Sequence, residues 1–65
     1  MADQVTIDEA ERIRTSLGFS TYAFSVKLGY SPTAYAYARR KGKFSRWMAR
    51  EIAMRYGRVL SEIRG

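Results

Sequence analysis

The segment Ser31-Pro-Thr-Ala-Tyr-Ala-Tyr-Ala-Arg-Arg-Lys-Gly-Lys43 holds the side chains with the most chemistry to offer. On a helix, Thr33, Tyr37 and Arg40 recur at four- and three-residue steps and share one face. Ser31, Thr33, Ala34 and Ala36 are short, so the backbone around them can approach a partner closely. Thr33 can bond a base edge or a phosphate, or set its methyl against a thymine methyl; Ala34 and Ala36 can do only the last. Arg40 carries a planar donor fork that matches guanine in the major groove, a contact of about 1–3 kcal/mol of discrimination. Tyr37 reaches a phosphate or stacks on a sugar. The N–H groups and dipole at the start of such a helix add attraction for phosphate.

A second set of residues suits the phosphate backbone. Thr21 and Tyr22 open the preceding helix, where hydroxyls and N–H groups can clamp phosphate. Lys27, Arg39, Lys41, Lys43 and Arg46 complete it, each engaged cation steepening the log–log salt dependence by about 0.9. Blander readings stand beside these. Lys27 and Arg39 serve equally as solvated face residues, Arg40 as a phosphate ligand, and Tyr37 as a core residue if the helix is rotated.

These side chains need a scaffold, and the chain between Thr6 and Ile63 reads as five short helices. Thr6 is an N-cap, with Glu9 completing a capping box and Asp8 and Glu9 favouring the helix dipole. The first helix is expected over residues 7–17 after a frayed lead at 1–6. Ala10, Ile13 and Leu17 form its buried stripe, and Gly18 follows its end. Arg12 and Arg14 fall off the stripe and read as solvated. Ser20 caps a second helix to Leu28, with Phe19 packing on Phe24 as a staple and Phe24 and Leu28 pointing inward. Ser25 is small enough for a close helix crossing. Gly29 supplies a positive φ, and Tyr30 plugs the turn.

Ser31 then caps a third helix, with Pro32 at its first position. The alternation Ala34-Tyr-Ala-Tyr-Ala38 has period two and suits a strand; alanine's helix propensity and the Ser-Pro start favour a helix. Tyr35 then faces the core with Ala38, and Tyr37 faces outward. Residues 39–46 read as a basic loop around Gly42. Ser45 caps a fourth helix over residues 46–56, with Met48, Ile52 and Tyr56 inward and Ala49 and Ala53 beside them. Gly57 ends it. A last helix over residues 58–63 offers Val59, Leu60 and Ile63 as lids. The expected fold is a single all-α domain, residues 1–65, with a helix-turn-helix at about 20–41.

Composition narrows the partners. The chain has 65 residues, no Cys and no His, and a net charge of +6. A chain this short buries only about 60% of its unfolded surface, so its core is marginal. Residues 1–19 carry four acids (Asp3, Asp8, Glu9 and Glu11) against two arginines, while residues 20–65 carry ten Lys/Arg against Glu51 and Glu62. That asymmetry suits a polyanion; surplus arginine for solubility is the plain alternative. No apolar run approaches the roughly 20 residues of a membrane span. The opening around Asp3 lacks a basic-then-apolar signal peptide, so a cytoplasmic location is expected. No metal or cofactor is expected. With no His, no Cys, no phosphate-binding glycine loop and no paired carboxylates, an enzyme is not expected either.

The landmarks Leu17-Gly18-Phe19-Ser20, Leu28-Gly29-Tyr30-Ser31 and Gly42 resemble those of the lambda-repressor and Cro-like helix-turn-helix family, also called the XRE family, of phage and bacterial regulators. The resemblance covers nearly the whole chain. Three positions depart from the family pattern. Ser25 replaces the usual Ala, Tyr35 replaces a smaller Val or Ile, and Ala38 to Lys41 replace a frequent Trp-Glu, leaving a wholly basic exit. The resemblance implies a dimeric regulator, typically a repressor, on a palindromic DNA operator in a bacterial or phage-infected cell, associated with the nucleoid. No small-molecule effector is evident. On the fourth helix, Trp47, Arg50 and Met54 are not needed by the inward stripe and could form the dimer face; Trp47 could equally complete the core. Competing readings are a small basic helical interaction protein (inhibitor or adaptor), an RNA-binding module stacking bases on Tyr22, Tyr30 and Tyr37, the DNA-binding piece of a larger protein, and, last, a membrane-surface helix.

Overall fold

Thr6 and Glu9 close the capping box expected of them. The Glu9 N–H donates to Thr6 Oγ1 and the Thr6 N–H donates to Glu9 Oε1, both at 3.1 Å. The computed structural model describes residues 5–65; Met1 to Gln4, most of the lead expected at 1–6, lie outside them. Five helices follow: α1 (Ile7–Ser16), α2 (Thr21–Lys27), α3 (Ala34–Lys41), α4 (Arg46–Arg55) and α5 (Gly57–Arg64). No strand occurs among the described residues, so the alternation at 34–38 is helical. No helix among them is long and apolar enough to cross a membrane. The radius of gyration is 10.5 Å, close to the roughly 10.7 Å expected of a compact 65-residue chain.

Three of the five helices start where a serine or threonine supplies the cap. Ser20 Oγ accepts from the Ala23 N–H at 3.0 Å and Ser45 Oγ from the Met48 N–H at 3.1 Å, as Thr6 does for α1. Helix α2 ends in a Schellman turn. The Tyr30 N–H reaches the Ser25 carbonyl at 3.1 Å and the Gly29 N–H the Val26 carbonyl at 2.9 Å. Gly29 stands at φ +86°, a conformation that costs glycine nothing.

Helix α2 packs on α3, while α5 packs on both α1 and α4. The core between them is aromatic. Phe24 meets Tyr35 edge-on at 4.9 Å between centroids and Tyr56 at 5.4 Å. Phe19 stacks on Phe24 at 6.0 Å, as the staple requires. Such pairs contribute about 0.5–1.5 kcal/mol each beyond their burial. Ala10, Ile13, Leu28, Met48, Ile52 and Leu60 fill the space around the rings. Val5, expected in a frayed lead, is buried among them.

Several boundaries and faces differ from the sequence reading. Leu17 is not buried; it is 41% exposed as the C-cap residue of α1. The turn at Gly18 brings Phe19 onto the core in its place. Arg14 is not solvated. Its guanidinium donates to the Phe19 carbonyl at 2.8 Å and to both Glu11 oxygens. The basic segment at 39–46 is not all loop, because α3 continues to Lys41 and ends at Gly42. Gly57 does not terminate α4; it is the first residue of α5, and its φ is not positive. Trp47 does not complete the core, being 61% exposed.

Candidate nucleic-acid interface

The candidate surface is built on α3, and α3 does not begin as the Ser-Pro signal suggests. Had Ser31 been its N-cap, the Ser31 carbonyl would accept from the Tyr35 N–H four residues on. Instead the Ser25 hydroxyl of α2 sits between the two groups. It accepts from the Tyr35 N–H at 3.1 Å and donates to the Ser31 carbonyl. Ser31, Pro32 and Thr33 therefore form a turn closed by the Ala34 N–H on the Ser31 carbonyl at 3.1 Å. Thr33 adopts φ −97°, ψ −6°, as the third residue of a type I turn does. Its side chain makes no capping hydrogen bond. Ser25 is fully buried and the one buried polar residue among those described. Its hydroxyl is an N-cap supplied from a neighbouring helix.

The outer face of α3 follows from this start. Ser31, Thr33, Ala34, Ala36, Tyr37 and Arg40 line one shallow concavity. From Thr33 to Arg40 this face is about 10 Å long at 1.5 Å per residue. Tyr37 is 60% exposed and so faces outward, while Tyr35 is fully buried. The rotated register, with Tyr37 in the core, does not occur.

Ion pairing separates the cations. Glu11 is held by Arg14 at 2.7 Å and approached by Arg39 at 3.4 Å, and the Tyr35 hydroxyl donates to it at 2.7 Å. Arg39 thus also contacts α1 while its side chain stays exposed. Glu51 pairs with Arg55 and Glu9 with Arg64. Lys27, Arg40, Lys41, Lys43 and Arg46 form no ion pair among the described residues. Lys27 lies over the Phe19 ring and Arg46 over Trp47, at 5.8 and 5.5 Å from the centroids. Thr21 is half-buried and Tyr22 exposed at the start of α2. Thr21, Tyr22, Lys27, Lys43 and Arg46 lie outside the α3 concavity, and Lys43 and Arg46 border a separate cleft with Val5 and Ile7.

Two positioning residues carried no functional signal in the sequence. Ser25 stood out only as a small residue. Glu11 counted only as one of the four acids of residues 1–19, yet it joins α1 to α3 through Tyr35, 24 residues away. Arg14 is the largest influence lowering the Glu11 carboxyl from the usual 4.5 to about 2, with the Tyr35 hydroxyl adding to it. Arg64, then the Thr6 N–H, lower Glu9 from 4.5 to about 2. Burial first, then the bond to Glu11, pushes the Tyr35 hydroxyl up.

Both carboxylates are more acidic folded than unfolded, so they stabilise the fold above about pH 4.5, and that contribution is lost as the pH falls towards 2. Glu11→Gln is expected to lower stability at pH 7 by about 1–2 kcal/mol, the screened cost of losing charged hydrogen bonds. The variant should also lose less stability than the parent between pH 4.5 and 2. Urea denaturation across that range checks both; a parallel pH profile for the two proteins would remove Glu11 from the acid response.

No family model, curated protein or solved structure matches this chain.

Proposed function

We propose that the chain is a sequence-specific double-stranded DNA-binding protein in which α2 and α3 act as a helix-turn-helix. The observation that carries this reading is the α3 concavity. Six short or donor-bearing side chains share one outer face, ending in Arg40, which has no acid partner among the described residues. Short leading side chains let a helix approach the base edges closely and donors further along can reach bases or phosphates, and Thr33 to Arg40 offer both. Lys27, Lys41, Lys43 and Arg46, without an ion pair among the described residues, supply phosphate attraction, while the acids at Glu9, Glu11 and Glu51 are occupied by arginines. The likeness to XRE-type repressors rests on the sequence landmarks alone, and with it the expectation of a regulator in the cytoplasm of a bacterial or phage-infected cell.

The same reading includes a homodimer through α4. Trp47, Arg50 and Met54 recur at i, i+3 and i+7, border the turn at Leu28 to Tyr30, and leave Met54 69% exposed. Exposed Trp and Met on one helix face suit a subunit interface. Trp47→Ala is expected to convert the dimer to a monomer by light scattering; a persisting dimer moves the interface elsewhere. Half-sites should then lie about one helical turn, roughly 10 bp, apart.

The exposed Tyr22 and Tyr37 favour a second reading, base stacking on single-stranded RNA. Enrichment from a mixture of random duplex DNA and random single-stranded RNA at physiological salt decides between them. A two-fold motif supports the operator reading. Retention of single strands over duplexes supports the RNA reading. Retention of no nucleic acid overturns both.

A further inference from the structure

The flank of α3 that faces α4 carries a groove of about 350 Å³ beside the concavity of the DNA reading. It is lined by Ala34, Ala38, buried Met48 and the rings of Tyr30, Tyr37 and Phe44. Ligand pockets span about 300–1,000 Å³ and are mostly apolar with a few placed polar groups. This groove is at the small end of that range, too small for a folded partner's helix and large enough for one or two rings. Its aromatic walls and the Met48 thioether favour an aromatic guest.

Two cations stand at the groove's outer edge. Lys41 and Lys43 both line it, both are exposed, and neither has an acid partner among the described residues. The Lys41 ammonium rests 5.3 Å from the centroid of the Tyr37 ring, an arrangement an incoming carboxylate can share. No acid lines the groove. We propose that it binds a small aromatic carboxylate, with the ring between Tyr30, Tyr37 and Phe44 over Met48 and the carboxylate on Lys41 and Lys43. Such a ligand would occupy Tyr37, Lys41 and Lys43, which the DNA reading also uses, and would therefore act against duplex binding. That consequence rests on the DNA reading; ligand binding itself does not.

The test is a titration of the isotope-labelled chain, without DNA, with 2-naphthoate and with its neutral counterpart 2-naphthamide, followed by amide NMR shifts. Saturable shifts centred on Tyr30, Ala38 and Phe44 are expected for naphthoate. Binding of naphthamide should be about fivefold weaker, the order expected for two exposed ion pairs. The double variant Lys41→Gln/Lys43→Gln should bring naphthoate down to the level of naphthamide. Ala38→Leu, which fills the groove, should remove both; if that variant does not fold, the acid–amide comparison on the unaltered chain decides alone. Absence of saturable shifts, equal binding of acid and amide, or shifts scattered over Arg12, Arg50 and Arg58 would overturn the proposal. Failure of the chain to bind DNA would leave this titration unchanged, so the two readings fail separately.

Discussion

Ser25→Val is expected to remove most of the stability of this domain. The side chain is fully buried where α2 crosses α3, so the larger valine forces the helices apart. Overpacking of this kind costs about 1–3 kcal/mol. The valine also leaves the Tyr35 N–H without its partner and the Ser31 carbonyl without one of its donors, a further cost of about 1–3 kcal/mol. A domain of this length has a total stability of only about 3–10 kcal/mol at typical values per residue. Thermal denaturation followed by circular dichroism should therefore show a broad or absent transition.

Ser25→Ala distinguishes the two costs. Alanine fits the crossing and lets the Ser31 carbonyl meet the Tyr35 N–H directly, which recovers the ordinary first bond of a helix. Its stability should stay within about 1 kcal/mol of the parent, while Pro32 and Thr33 become helical. Backbone chemical shifts at Thr33 would report that change. A parent-like melting curve for the valine variant would show that the hydroxyl bridge does not govern the crossing.

On the proposed DNA reading, Arg40→Ala carries the largest expected effect on base preference. Arg40 is exposed, lies at the end of the α3 concavity and has no ion pair among the described residues. If it reads guanine through both acceptors, its loss should reduce discrimination at that base pair by about 1–3 kcal/mol, or five- to 150-fold. The contrast is Lys27→Gln/Arg46→Gln, two cations outside the concavity. That double variant should weaken all duplexes alike and lower the salt slope by about 1.8. Competition binding against single-base variants of the selected site measures both effects. Uniform weakening by Arg40→Ala would make Arg40 a phosphate ligand.

The Thr33 position links these two experiments. Its dihedral angles belong to a turn, not to the first turn of a helix, because the Ser25 hydroxyl occupies the gap between Ser31 and Tyr35. On the DNA reading, Ser25→Ala should therefore alter base preference near Thr33 even where stability is kept. The residue that sets how α3 begins is thus on the preceding helix.

Much of the architecture is legible from residues near one another in the chain. The capping box at Thr6 and Glu9, the caps at Ser20 and Ser45 and the turn at Gly29 all operate within three to five residues. Local chemistry therefore determined them, and with them the starts of α1, α2 and α4 and the turn that ends α2. Charge asymmetry is likewise a property of composition. Tertiary packing alone decided the rest. Ser25 finds Tyr35 ten residues away, Glu11 finds Tyr35 and Arg39 at 24 and 28 residues, and Glu9 finds Arg64 at 55. Leu17 gives up its core position to Phe19, and Tyr56, not Gly57, ends α4. A hydroxyl or carboxylate has several partners within hydrogen-bonding reach of its own turn. Which distant partner it takes depends on where another helix crosses, and that is set only when the aromatic core around Phe24 closes.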